Sequence, residues 1–279
     1  MPADLHVHTN FSDGTDSPEV VVEKAKNAGI TEMAITDHDV VDGIDRAAKK
    51  GRDLGVEVIP GIEFTTEALG AEIHILGYYI DHHDHTLLKT IKKIQKSREE
   101  RIFKICEKLK ELGISLEAEK VFEIAGHRAA GRPHIARAMI KEGYVRNFKE
   151  AFGKYIDFHG PAYVAHYKLS PEEAIKLVIA AKGIPVYAHP AVSNCDQIIP
   201  DLISAGLAGI EVYYPGHNRE QTAHYLDITK KYALLATGGS DYHGKRSGRE
   251  IGIGYVSITD DLMEKIRSEY LHRNKPRGD

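Results

Sequence analysis

Apolar and polar positions divide the chain into two ends where short apolar runs alternate with amphipathic helices, and a middle where only helical periodicity is found. Ala3 to His8 reads as a strand ending in the turn-rich Thr9-Asn10-Phe11-Ser12-Asp13-Gly14. Ser17-Pro18-Glu19 starts a helix, with Ser as N-cap and Pro at the first helical position. Val21, Val22, Ala25 and Ala28 supply its apolar face and Gly29 ends it. Thr31 to Thr36 is a second strand that runs into Asp37-His38-Asp39. A helix over Val41 to Leu54, closed by Gly55, leads to a third strand, Val56 to Ile59, with Glu63 just past it. Ala71 to Tyr79 is a fourth, carrying His74 within it.

The middle changes character. Helices are predicted over Thr86 to Gly113, Leu116 to Ala125 and Arg132 to Glu142, with no convincing strand. The alternation resumes at Ser170-Pro171-Glu172-Glu173, a capping box with Pro at its first helical position. Strands follow at Ile184 to Ala188, Gly209 to Tyr213 and Ala233 to Thr237, and Arg273 to Asp279 reads as a polar tail. Short strands alternating with helices predict an α/β fold with a mainly parallel sheet, either a barrel or an open doubly wound sheet. The domain reading is a barrel from residues 1–85 and 160–279, with a helical cap inserted at 86–159.

Composition narrows the class without naming it. With 279 residues, 42% hydrophobic and 28% charged, the chain can build a sizeable core. A net charge of −4 argues against broad nucleic-acid coating, and so against stable duplex binding, but leaves room for a local basic pocket. Its two cysteines, Cys106 and Cys195, suit a reducing cytoplasm and no disulfide scaffold. There is no signal-peptide pattern and no apolar run near the ~20 residues a membrane span needs.

The chemistry lies in where the sixteen histidines fall. His6 and His8, two apart on a strand, point to one face because side chains alternate. The strands run apolar and then end in potential ligands: His6 and His8, Asp37-His38, Glu63, His189, Glu211, and Asp241 with His243. Barrel enzymes gather active-site residues at the carboxyl ends of their strands, which favours the barrel over the open sheet. The candidate ligands are His6, His8, Asp13, His38, Glu63, His74, His189, Asp241 and His243. Imidazole and carboxylate are the donors of a catalytic divalent centre rather than of a thiolate-rich structural site, and this set is large enough for two or three ions. Clustered divalent ions lower the pKa of a bridging water and clamp phosphoryl oxygens.

Four motifs then carry a resemblance: Asp4-Leu5-His6-Val7-His8, Thr36-Asp37-His38, Ala188-His189-Pro190 and Gly239-Ser240-Asp241-Tyr242-His243. Together they resemble the PHP family, the polymerase-and-histidinol-phosphatase metal hydrolases. The resemblance implies a distorted (β/α)7 barrel, a trinuclear metal site and hydrolysis of phosphate esters by a metal-bridging hydroxide. On the family pattern His6, His8, Glu63 and Asp241 would hold one ion; Glu63, His74 and His189 a second; Asp13, His38 and His243 a third. The donors suit manganese first, with zinc or iron as alternatives. Asp37 is a candidate catalytic residue, orienting His38 or polarising the water, or else a supporting one.

Substrate information is expected in the cap. Arg98 fills a gap in the apolar stripe of the long helix, with Arg101 on the same side. Such an arginine needs an anion, whether a substrate or a cap carboxylate such as Glu123. Gly131-Arg132-Pro133-His134 adds a cation at a helix start, where anions are favoured, and an imidazole that is a candidate general acid. These segments resemble the PHP subfamily that removes the 3′-phosphate from nucleoside 3′,5′-bisphosphates and trims short 5′-phosphorylated oligonucleotides. Arg98, Arg101, Arg132 and His134 would then bind substrate. Histidinol-phosphate phosphatases share the metal motifs but do not need the helical insertion. A non-catalytic metal-binding module is the remaining reading, and the complete ligand set weighs against it. His82, His83 and His85 read as a solvated loop; Lys245 to Arg249 reads as a basic rim or a solvated loop. His127, His159, His166, His217, His224 and His272 receive no role, and oligomeric state is not legible.

Overall fold

A computed structural model describes residues 2–126, 130–165, 167–244 and 251–275. Its seven strands are hydrogen-bonded in sequence order: β1 (Ala3–Val7), β2 (Glu32–Ile35), β3 (Glu57–Ala68), β4 (Ala71–Tyr78), β5 (Ile184–Tyr187), β6 (Gly209–Tyr213) and β7 (Leu235–Gly238). The ends of this sheet meet. His8 N donates to Tyr242 O at 2.9 Å and Tyr242 N to His6 O at 3.3 Å, bringing the segment after β7 onto β1 in a nearly closed barrel. All five residues of β1 are buried, as expected for a strand covered on both faces.

The sheet is less uniformly parallel than its rhythm predicts. β4 runs antiparallel to both β3 and β5, and the remaining ladders are parallel. The cause is a tight hairpin: Leu69 and Gly70 both have positive φ (52° and 74°), the two-residue turn that folds a strand straight back. β3 is correspondingly much longer than Val56 to Ile59, running through Pro60-Gly61. A Cβ on Gly61 would stand 2.8 Å from Ile35 O, so glycine is what allows β2 to approach there. Glu63 and His74 therefore lie inside strands and not at their ends.

Helices α1 (Pro18–Asn27) and α2 (Ile44–Leu54) cover the first strands, α2 starting three residues later than predicted. The long α3 (His85–Glu111), N-capped by Asp84, belongs to two apolar clusters. Leu87, Ile91 and Ile94 pack with the barrel core, whereas Ile102, Ile105 and Leu109 pack with the cap. The cap also contains α4 (Ala118–Ala125), α5 (Arg132–Lys141) and the short α6 (Phe148–Ala151). α7 (Pro171–Ala180) returns the chain to the barrel through the predicted capping box at Ser170 and Glu173. No described helix is long and apolar enough to cross a membrane. His127, His166 and the basic run 245–249 lie outside the described residues.

Candidate metal centre

Strand pleat and hairpin register assemble the centre. His6 in β1 and His8, the residue just past its end, point the same way and both are fully buried. In the β3–β4 hairpin Thr65 opposes His74, which makes Glu63 and His74 diagonal neighbours on one face. The two oxygens of Glu63 are divided between two sets of imidazoles. Its Oε2 lies 3.2 Å from His6 Nε2, 3.1 Å from His8 Nε2 and 3.3 Å from His38 Nδ1. Its Oε1 lies 2.8 Å from His74 Nδ1 and 3.1 Å from His189 Nε2. Asp241 Oδ1 completes the first set at 3.5 Å from His6 Nε2 and 3.3 Å from His8 Nε2. Asp13 Oδ1 stands 3.2 Å from His243 Nε2 and 3.7 Å from His8 Nδ1.

These residues fit divalent ions on two grounds. Ligand atoms about 2.1 Å from an ion stand roughly 3.0–3.4 Å apart, close to the N···O separations here. In addition His6 Nε2, both ring nitrogens of His8 and Glu63 Oε2 are buried with no hydrogen-bond partner among the described residues, an arrangement that proteins avoid unless something else satisfies it. Ligand atoms mutually within 4.8 Å form the groups His6–His8–Glu63–Asp241, His8–Asp13–His38–His243 and His38–Glu63–His74. The partition differs from the expected one: His8 and His38 each stand in two groups, and His189 reaches Glu63 without joining a group.

The electrostatics are those of a site built for cations. Burial disfavours charge on His6 and His8, but the surrounding carboxylates outweigh it, raising His6 and pushing His8 up to about 9. His74 is driven up to about 10 against the same burial by Glu63 and Glu72. His38 goes the other way, to about 3, because burial dominates there. Burial works to raise Glu63 and Asp13 as well, yet the imidazoles around them hold both carboxyls well below their usual range.

Supporting residues lock these side chains. Glu211 Oε1 lies 2.9 Å from His6 Nδ1, and its Oε2 accepts from His189 N at 2.8 Å. Tyr214 donates to Asp241 Oδ2 at 3.0 Å. A Cβ on Gly239 would lie 2.4 Å from His6 N, so the fourth motif needs glycine there to pass β1. Two candidate catalytic residues have partners in the fold. Asp37 uses its oxygens on Thr9 N (2.8 Å), Thr9 Oγ1 (2.6 Å) and Ser12 Oγ (2.5 Å), fixing the loop before Asp13 instead of orienting His38. His134 is 2% exposed, accepts from Gly131 N at 3.1 Å, and is held by burial and the nearby Arg137 to about 4.

A cleft beside the cluster is lined by Asp13, His38 and His74 on one side and by Arg98, Arg101 and Arg132 on the other. Arg98 pairs with Asp39 and donates to Thr65 Oγ1 at 2.9 Å; Glu123 is not its partner. Arg132 Nη2 donates to both oxygens of Glu72 at 3.0 Å. Glu72 also receives Lys168 Nζ at 2.8 Å and lies 3.4 Å from His74 Nε2. Arg101 donates from Nε to Val164 O at 2.6 Å and makes no ion pair with a described carboxylate. The sequence reading missed Asp39, Glu72, Lys168 and Arg137. Glu72 had a signal, since it is two residues before His74 and therefore on the same strand face; the others had none. Outside the centre, His82 and His83 lie 3.0 and 3.7 Å from Asp45 Oδ1, with Asp45 and His83 exposed to solvent.

Known proteins resemble the chain along nearly its whole length. The PHP domain model matches residues 4–164. A phosphoribosyl 1,2-cyclic phosphate 1,2-diphosphodiesterase of Eggerthella lenta is 30% identical, covering 91% of this chain and 98% of that one. A 3′,5′-nucleoside bisphosphate phosphatase of Chromobacterium violaceum is 30% identical over 89% of this chain and 90% of its own. A 5′-3′ exoribonuclease of Haemophilus influenzae is 32% identical over 89% and 92%. A solved structure from Bifidobacterium adolescentis, described as a metal-dependent phosphoesterase, superposes with a TM-score of 0.87 at 30% identity, covering 99% of this chain and 97% of that one.

Proposed function

The chain belongs to the PHP family and is a metal-dependent phosphoesterase, and we propose that it removes the 3′-phosphate from nucleoside 3′,5′-bisphosphates, leaving the nucleoside 5′-monophosphate. The observation that carries this reading is Arg101. It is 7% exposed, its Nη2 is buried without a hydrogen-bond partner among the described residues, and it lines the cleft facing the cluster. Burial, with repulsion from Arg132 and Arg98, pulls its guanidinium down to about 10. Asp39 and Glu72 neutralise Arg98 and Arg132, but among the described residues no carboxylate does this for Arg101. A desolvated cation in a cleft wall is stable against an anion, and a second phosphate supplies one.

In this reading the scissile 3′-phosphate lies over the histidine–carboxylate cluster and the 5′-phosphate against the arginines. Water forms the new P–O bond, the bond to the 3′-oxygen breaks, and that oxygen takes a proton from solvent, His134 being a neutral imidazole. Divalent ions, manganese foremost, would be held by His6, His8, Asp13, His38, Glu63, His74, His189, Asp241 and His243, and supply Lewis-acid activation and charge neutralisation. Glu63, with one oxygen toward each set of imidazoles, is suited to hold two such charges at a fixed separation.

The exoribonuclease relative favours short 5′-phosphorylated oligonucleotides as a second substrate, and the Eggerthella relative makes a phosphoribosyl cyclic phosphate a competing one. Both would offer the arginines the same anion. Product release in manganese over adenosine 3′,5′-bisphosphate, phosphoribosyl 1,2-cyclic phosphate, histidinol phosphate and a 5′-phosphorylated oligonucleotide separates them. The bisphosphate is expected to give the highest kcat/KM; faster turnover of another overturns the assignment. Arg101→Met should raise KM for the bisphosphate about 10–100-fold, the worth of a charged hydrogen bond, and change KM for adenosine 3′-monophosphate little. An equal effect on both substrates removes the clamp.

A further inference from the structure

The cap touches the barrel at the loop that carries Asp13, and it does so through two side chains one helical turn apart. Gly131 caps the start of α5, and its N–H donates to His134 Nδ1 at 3.1 Å. That bond assigns the proton of the neutral imidazole to Nε2, on the side of the ring where the Ser12 backbone favours it. Three residues on, Arg137 Nη2 donates to the carbonyl of the next residue, Asp13, at 2.5 Å. Residues three apart on a helix are neighbours on one side, so both side chains face the turn that holds Ser12 and Asp13. From the barrel side the same loop is held by Asp37 through Thr9 and Ser12, and Thr15 N donates to His243 O at 2.9 Å.

We infer that Arg137 is a positioning residue of the metal centre: with His134 it clasps the Ser12–Asp13 backbone, so that α5 of the cap sets where the Asp13 carboxylate stands. Resting on the metal-centre reading above, this gives the cap a role in building the centre as well as in binding substrate. The alternative, that Arg137 only packs the cap, predicts no effect on ions. Asp13 is the group's sole carboxylate; its partners His8, His38 and His243 come from the barrel. A carboxylate on a ten-residue connection between β1 and α1 has no strand to fix it, so its position depends on what grips its backbone. The group His6–His8–Glu63–Asp241 reaches that loop only at its first residue, His8, which directly follows β1 and stands five positions before Asp13. The clasp therefore acts on one ion and spares another.

The test is a manganese titration of the full, metal-stripped chain, followed by electron paramagnetic resonance, which counts bound ions without reference to turnover. Arg137→Met should leave the tightest ion in place and weaken one other by about 10–100-fold, the usual effect of losing a supporting contact at a metal site. Arg137→Lys, which can still donate to the carbonyl, should recover much of the loss. In an Asp13→Asn background Arg137→Met should add nothing, because the two act through one ligand. A binding curve for Arg137→Met that matches the wild type, with the fold intact by circular dichroism, overturns the assignment, as does full additivity with Asp13→Asn. If Arg137→Met does not fold, the Arg137→Gln titration is read against the same two criteria. A wild-type chain that binds no ion overturns the centre itself, a result distinct from either.

Discussion

The Glu211 carboxylate lies 2.9 Å from Nδ1 of His6, both groups wholly buried. A carboxylate only accepts, so when His6 gives up the charge its neighbours favour in the metal-free protein, the remaining proton stays on Nδ1 and the Nε2 lone pair faces Glu63 and Asp241. The second Glu211 oxygen accepts from the backbone N–H of His189, tying β6 to another candidate ligand.

Glu211→Gln should therefore weaken metal binding more than it weakens the fold. An amide has one accepting oxygen, so one of the two contacts is lost and an NH2 is set against a donor. The expected loss in metal affinity is about 10–100-fold by calorimetric titration, with turnover recovering in excess metal. Unchanged affinity would remove Glu211 from the centre.

Metal uptake should release protons. His8, at about 9, and His74, at about 10, both hold protons at neutral pH when no ion is bound, and an ion must displace them. Affinity should rise with pH until those values are passed. The sign is opposite for the metal-free fold: both folded values lie above the ordinary ~6.5 of histidine, so their stabilisation is complete below that pH and lost as pH rises toward 10. Stripped protein should melt progressively lower across that window, and added manganese should restore more at its alkaline end. Thermal melts with and without chelator check this; a metal-induced shift that shrinks with rising pH contradicts it.

Gly239→Ala should damage the centre from outside it. The added Cβ would lie 2.4 Å from His6 N and 2.5 Å from His6 Cβ, both on a buried strand with no room to yield. Overpacking of this kind costs about 1–3 kcal/mol, and the strain falls on β1, which carries His6 and runs directly into His8. Urea denaturation should show the loss together with weaker manganese binding. Wild-type values for both would mean that β1 moves aside freely.

The metal chemistry was legible because it rests on short-range features. His6 and His8 share a face by strand pleat alone, and the strand-then-ligand pattern at His38, His189 and Asp241 announces a barrel face. The seven-stranded α/β architecture and the helical insertion followed from periodicity in the same way. What periodicity cannot express is which backbone groups meet across the barrel. The Leu69-Gly70 turn reverses β4, and only then do Glu63 and His74 become diagonal neighbours inside strands. The roles of charged and titratable residues were the least legible. Asp37 and His134 are chemically suited to catalysis, yet each has its capacity used by Thr9 and Ser12 or by Gly131 and Ser12. Arg98 and Arg132 have internal carboxylates and Arg101 has none among the described residues, a difference decided by contacts between residues tens of positions apart. Residue type and spacing determined which side chains are able to bind metal and phosphate; hydrogen-bond saturation, a property of the folded packing alone, decided which remain free to do so.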